Sequence, residues 1–145
     1  MGILGFVIMF VLAIVGLSAS GSLGHVLDIP SVLIVIGVSL GMLLMAFGSS
    51  LGAAIMTIFR KNAEREALVF GIVVFKRGRS FAIASGVVGT MIGMVSILAN
   101  LDYIAALGPG LATALITSIY SLALAYGVFQ LVVISLERRL EKVNA

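Results

Sequence analysis

The stretch SFAIASGVVGTMIGMVSILANLDYIAALGPGLATALITSIYS, residues 80–121, contains one charged side chain, Asp102, set in a short turn between two apolar runs. A helix needs roughly 20 apolar residues to cross the hydrocarbon of a bilayer. Within hydrocarbon each backbone amide must be satisfied inside its own segment or a closed barrel. The first run covers 80–99. The second continues past the quoted stretch and covers 108–136, so the pair reads as a transmembrane hairpin.

Two more apolar segments precede this hairpin, at about 2–19 and 31–57, the second opened by Pro30 at a first-turn position. The 145-residue chain is 61% hydrophobic and 10% charged, with a mean hydropathy of +1.28. That leaves too little charge for a water-facing surface. The expected fold is an all-α membrane protein with four transmembrane helices in one domain over 1–145. Met1-Gly2-Ile3-Leu4 lacks the basic residues of a signal peptide, so 2–19 is expected to stay as a helix.

All nine basic residues fall in two clusters: Arg60, Lys61, Arg65, Lys76, Arg77 and Arg79, then Arg138, Arg139 and Lys142. The loops 20–30 and 100–107 carry only His25, Asp28 and Asp102. By the positive-inside rule, both termini and the loop 58–79 are expected in the cytoplasm. The stretch 67–75, ALVFGIVVF, is too short to span. It reads either as a cytoplasmic extension of the third span or as an interfacial helix. The fourth span is expected to continue past 136 in the same way. Charged groups such as Glu64 and Glu66 near that end fit headgroup anchoring or contact with a soluble effector.

No Asp, Glu, Lys or Arg lies inside any of the four spans. An intramembrane charge is the usual mark of an ion carrier. If the chain moves an ion, another chain must supply that charge. There is no cysteine and one histidine, which removes disulfides, thiolate metal sites and a histidine cluster. No phosphate loop, catalytic triad or dinucleotide fingerprint is present, so an enzyme is not expected. Nor is there a broken helix or an inverted repeat of the kind small-solute transporters use.

Helices in lipid associate through close packing and polar contacts. The second span carries Gly37, Gly41, Gly48 and Gly52 at small-xxx-small spacing, and the third carries Gly86, Gly89 and Gly93. Polar residues also fall in stripes. On the third span Ser85, Thr90, Ser96 and Asn100 join the glycines. On the fourth, Thr113, Thr117, Tyr120 and Ser121 share a face that Ser118 borders. Many such hydroxyls bond only their own i−4 carbonyl. Two matched stripes on neighbouring helices suit a lined path for alkali cations or water chains, which need neutral dipoles without a deep trap.

The residues 86–121 resemble the last two membrane helices of the flagellar stator A subunits, the MotA and PomA type, within the MotA/TolQ/ExbB ion-channel family. The marks are Gly89-Thr90-Met91-Ile92-Gly93, the turn Asn100-Leu101-Asp102, Leu107-Gly108-Pro109, and Ala114-Leu115-Ile116-Thr117-Ser118-Ile119-Tyr120. Residues 30–50 are similar to the family's second helix. The resemblance implies a homo-oligomer, a pentameric ring, in the bacterial inner membrane. The ring would surround two copies of a MotB/PomB/ExbD-like single-span partner that carries the membrane aspartate. Ion flow would drive stepwise rotation, with about 2.3 kcal/mol available per charge per 100 mV.

Carried over by position, Thr90, Thr117 and Ser118 would line the ion path and hold a transient sodium ion, with Ser118 where a second threonine is usual. Tyr120 and Ser121 would continue the path, and Gly86, Gly89, Gly93 and Thr113 would pack on partner helices. The transported species is sodium or a proton, with a lean to sodium. No resident cofactor, permanent metal or nucleic acid is implied. The chain departs from the flagellar pattern in its short loop 58–79, and in Ile83 and Leu131 where prolines are expected. A different class stays open beside this one: a non-conducting scaffold that oligomerises through its glycine faces.

Overall fold

The computed structural model describes residues 28–60 and 63–144, together with Ile8, Val11 and Val15. The first expected span, His25 and Lys61 lie outside the described residues, apart from those three helical positions. Helix α1 covers Ile29–Phe47, α2 Ser50–Phe59, α3 Arg65–Leu98 and α4 Ile104–Leu122. A seven-residue π-helical segment, Ala123–Phe129, joins α4 to α5, Gln130–Asn144.

Asp28 starts α1. Its carboxylate accepts from the Ser31 backbone N–H at 3.1 Å and from the Ser31 hydroxyl, and Pro30 occupies the first turn, where a missing N–H costs nothing. One stripe of α1 is buried: Ser31, Val35, Ser39 and Leu43, spaced by four. The helix stops at Gly48, whose φ of 53° lies in the left-handed region that a Cβ disfavours. The expected continuous span 31–57 is therefore broken at Gly48-Ser49. The break lies at the end of a membrane-length helix rather than mid-membrane, so it does not restore a transporter reading.

Helix α3 is 34 residues long, about 51 Å at 1.5 Å per residue. It runs without interruption through 67–75, so the extension is continuous with the third span. Leu68, Gly71, Ile72, Val74 and Phe75 are buried there, and the connection between α2 and α3 shrinks from 58–79 to residues 60–64. Helix α4 begins at Ile104, four residues before the expected start, with Pro109 inside it.

The packing of α3 is set by its glycines. Going along α3 in reverse, Gly93, Gly89, Gly86, Gly78 and Gly71 meet Ala114, Thr117, Ser121, Phe129 and Leu136 in order. Each missing Cβ makes room for one side chain of the antiparallel partner helix. At Gly93 a Cβ would lie 2.7 Å from the Ala114 Cβ and 2.9 Å from its backbone. At Gly78 it would lie 2.7 Å from the Phe129 ring.

The apolar core sits at the basic end, where Leu51 and Ala54 of α2, Leu68, Ile72 and Phe75 of α3, and Phe129, Val133 and Leu136 form one cluster. Phe75 and Phe129 lie 6.3 Å apart between centroids, and Phe47 meets Phe70 edge-on at 6.1 Å. Charged groups tie the rim of this cluster. Lys76 pairs with Glu137 at 2.8 Å, Arg79 donates to Gln130, and Arg139 donates to the carbonyls of Ile58 and Arg60 at 3.0 and 3.3 Å. The last contact closes the C-terminal end of α2, where orphan carbonyls favour a cation.

Ile29–Phe47, Arg65–Leu98 and Leu107–Val143 are each long and apolar enough to cross a membrane, and Ser50–Phe59 is a shorter apolar helix. Their outer surfaces are apolar, with Leu33, Met45, Met91 and Val95 all well exposed. In water such a surface would aggregate; in lipid or against other chains it is at home. The protein is an all-α membrane protein.

Candidate functional site

The two hydroxyl stripes meet where α3 crosses α4. Thr90 Oγ1 and Ser118 Oγ lie 2.7 Å apart. Thr90 Oγ1 is also 2.8 Å from the Gly86 carbonyl and 3.3 Å from that of Ala114, which Ser118 Oγ reaches at 3.2 Å. Two hydroxyl protons serve these contacts, so one proton goes to a carbonyl and the other links the hydroxyls. The result is four neutral oxygens from two helices, three of them within hydrogen-bond reach of Thr90 Oγ1. Gly86 and Gly89 let α4 come this close: a Cβ on Gly86 would collide with Ser121, and one on Gly89 with Thr117.

Thr90 and Ser118 are half-buried and line an open groove of about 460 Å³ with Ile83, Gly86, Val87, Met91, Met94, Ser121 and Leu122. Among the described residues no charged side chain lines it. The walls are apolar and flexible, with two methionines that adapt to irregular partners. The hydroxyls are the polar feature of the floor. Ser121 donates to the Ser118 carbonyl at 2.8 Å.

Thr117 stands apart from this groove. It is fully buried, and its hydroxyl donates to Ser31 Oγ at 2.9 Å, with the Thr113 carbonyl 2.6 Å away. Ser31 donates in turn to the Asp28 carboxylate. A carboxylate can only accept, so the chain has one direction: Thr117 to Ser31 to Asp28. Residues 117 and 118 differ by about 100° around the helix, enough to send one hydroxyl inward and the next to the groove. Thr113 lines a separate groove of about 380 Å³, with Pro30, Ile34, Gly93, Ser96 and Pro109. Tyr120 is half-buried and lines neither groove.

The structure thus brings together Thr90, Ser118, Ser121 and Gly86, and separates Thr113, Thr117 and Tyr120 from them. Gly86, Gly89 and Gly93 are buried against α4 of the same chain. Within the chain they let α3 and α4 approach closely. Sequence reading missed the polar residues of α1. Ser39 and Ser85 hydrogen-bond across α1 and α3 at 3.0 Å, fully buried, and Ser31 does the same toward α4. The signal was available in the spacing Ser31-Val35-Ser39-Leu43. Among the described residues no group of three or more His, Cys, Asp or Glu could hold a metal ion. Oxygens available to a cation at this site are hydroxyls and carbonyls only.

Residues 53–145 match the sequence pattern of the MotA/TolQ/ExbB proton channel family. Over 68 residues, 47% of this chain, it is 41% identical to the uncharacterized protein YtxD of Bacillus subtilis, of which the match covers 25%. It is 41% identical to the chemotaxis protein PomA of Vibrio alginolyticus over 59 residues, 41% of this chain and 23% of PomA. It is 41% identical to motility protein A of Borreliella burgdorferi over 68 residues, 47% of this chain and 26% of the relative. The matched stretch therefore spans about a quarter of each of these relatives. With more than half its length inside the family's pattern, the chain belongs to the MotA/TolQ/ExbB proton channel family.

Proposed function

We infer that this chain is the ring-forming subunit of a stator-type channel driven by ion-motive force. It sits in the bacterial inner membrane, as one domain over 1–145, with both termini and the basic end in the cytoplasm. Five copies surround two copies of a single-span partner of the MotB/PomB/ExbD kind, whose membrane aspartate carries the ion. Ion flow past that acid drives rotation or force.

One observation carries the reading: the hydroxyls of Thr90 and Ser118 face each other in an open groove where no described residue brings a charge. A chain that supplies one wall needs neutral oxygens that solvate a passing ion without trapping it. Sodium or a proton is the transported species, and the paired hydroxyls and nearby carbonyls favour sodium, which prefers oxygen ligands. Thr90 and Ser118 contact the ion, Ser121 extends the wall, and Thr117 holds α4 against α1. Tyr120 and Thr113 lie off the path. The connection between α2 and α3 is short, residues 60–64, so a driven partner would meet the chain at the basic end of the bundle rather than at a large inserted domain.

The test is co-reconstitution in liposomes with the single-span product of a neighbouring gene, measuring sodium and proton flux under an imposed gradient. Flux is expected with both chains and with neither alone. Removing both hydroxyls, Thr90→Ala with Ser118→Ala, is expected to lower it about tenfold, equivalent to about 1.4 kcal/mol. Absence of flux, with an intact complex, would favour the scaffold instead.

A further inference from the structure

The hydroxyls inside the membrane spans fall into two groups. On α3 and α4 those of Ser85, Thr90, Thr117, Ser118 and Ser121 each lie within hydrogen-bond distance of a carbonyl three or four residues back. On α1 that of Ser39 does the same. Such a contact satisfies a hydroxyl that water does not reach. Ser96 on α3 and Thr113 on α4 are different, for neither hydroxyl has a partner among the described residues. A polar group left unpaired against hydrocarbon is costly. A ligand that brings an acceptor to these two hydroxyls therefore lowers the free energy of this face.

Both hydroxyls line one groove, the space of about 380 Å³ between Pro30 and Ile34 of α1, Ile92 of α3 and Pro109 of α4. Its depth follows from the helix ends. Helix α1 begins at Ile29 and α3 ends at Leu98. Pro30 thus stands in the first turn of α1, and Ser96 in the last turn of α3. Thr113 is level with them, because its neighbour Ala114 packs on Gly93. For helices of membrane length this is the boundary between hydrocarbon and headgroups. Just outside it, Asp28 caps α1 and Asp102 stands in the turn that follows α3, whose Asn100 donates to the Ser96 carbonyl at 2.8 Å.

The surroundings select the occupant. The walls are apolar, and the space is too small to enclose a helix, about 10 Å across. An acyl chain fits such walls. The ester carbonyls of a phospholipid lie at this depth and accept hydrogen bonds, which is what the two hydroxyls lack. Charge then selects the headgroup. Every Lys and Arg of the chain falls within 60–79 or 138–142, so Asp28 and Asp102 meet the headgroups with no Lys or Arg beside them. An anionic headgroup is repelled there. An ammonium that keeps its N–H groups can donate to a carboxylate, which a quaternary ammonium cannot. Both Ser31 contacts use one oxygen of the Asp28 carboxylate, which leaves the other to accept.

We propose that this groove binds one phospholipid with a primary-amine headgroup, of the phosphatidylethanolamine kind, in the leaflet at the Asp28/Asp102 end. Its ester carbonyls accept from Ser96 and Thr113, one acyl chain follows Ile34 and Ile92, and its ammonium stands at Asp28 and Asp102. The groove shares no lining residue with that of Thr90 and Ser118. The lipid site stands whether or not the protein conducts.

Native mass spectrometry of the full-length protein reads the preference, after incubation in detergent with equal amounts of dioleoyl phosphatidylethanolamine, phosphatidylcholine and phosphatidylglycerol. Retention of the ethanolamine lipid is expected to exceed that of either other lipid about fivefold, the ratio an exposed charged pair can supply. Asp28→Asn with Asp102→Asn is expected to remove the preference over phosphatidylcholine while the protein keeps its thermal stability, since asparagine caps a helix as well as aspartate does. Ser96→Phe fills the groove from an exposed position and is expected to bring retention of the ethanolamine lipid down to that of the other two. Equal retention of the three lipids by the unmodified protein would overturn the site. So would a preference that survives either variant. The three-lipid comparison needs no variant and decides even if a variant fails to fold. Ion flux enters none of these measurements, so their failure is separate from failure of the channel reading.

Discussion

Two sets of glycines with similar spacing have opposite surroundings. On α3, Gly71, Gly78, Gly86, Gly89 and Gly93 each face a side chain of α4, the π segment or α5, so closely that an added Cβ would collide or press on it. On α1 and α2, Gly37, Gly41 and Gly52 have nothing among the described residues within 4 Å of where a Cβ would stand. Small-xxx-small spacing reports that a helix can be approached closely. It does not report by what. The α3 face is filled inside the subunit, whereas the α1 face is left open by the described residues. Among the described residues the grooves and the α1 surface stay open, while the α3 glycines are covered by α4, the π segment and α5.

The sharpest way to break this contrast is Gly93→Ala. Its Cβ would meet the Ala114 backbone, which cannot rotate away, so α3 and α4 must separate. A loss of about 3 kcal/mol is expected, at the upper end for overpacking, read by denaturant unfolding in detergent. A tolerated alanine there would mean the two helices are not in this register. Gly86→Ala should cost about as much, roughly 3 kcal/mol, because its Cβ would collide with the Ser121 Cβ, which no rotamer moves aside, as well as with its hydroxyl. Adding Ser121→Gly should recover about 1 kcal/mol of that, the signature of direct contact. Additive effects in the double variant would deny the contact. The smallest effect is expected from Gly41→Ala, within about 0.5 kcal/mol for the isolated subunit. A change in the mass of the assembled complex, with subunit stability intact, would show that the open α1 face meets another chain.

The sequence made the architecture legible where physics leaves few choices. Uncharged 20-residue runs in 80–136 have no other home than a membrane, and the basic residues at 60–79 and 138–142 mark one end of the bundle. The Thr90–Ser118 meeting was legible as matched polar stripes. What was not legible turned on small angular differences. Thr117 and Ser118 are neighbours in sequence, yet about 100° of helical rotation sends one to Ser31 and the other to the groove. The break at Gly48 needed a backbone angle, since Gly37 and Gly41 continue the helix with the same residue type. The π segment was readable in principle from the repeated steps of four through Ser121, Ala125, Phe129 and Val133. It needed the buried face to be known first.

The most direct test of the central claim, that the Thr90–Ser118 groove faces the partner's acid, is cysteine cross-linking in membranes. Met91→Cys and Leu122→Cys stand at the groove, and Leu33→Cys stands exposed on α1. A single cysteine placed beside the membrane aspartate of the single-span partner should cross-link to the two groove positions and not to Leu33→Cys. Cross-linking to Leu33→Cys with none to the groove would contradict the account.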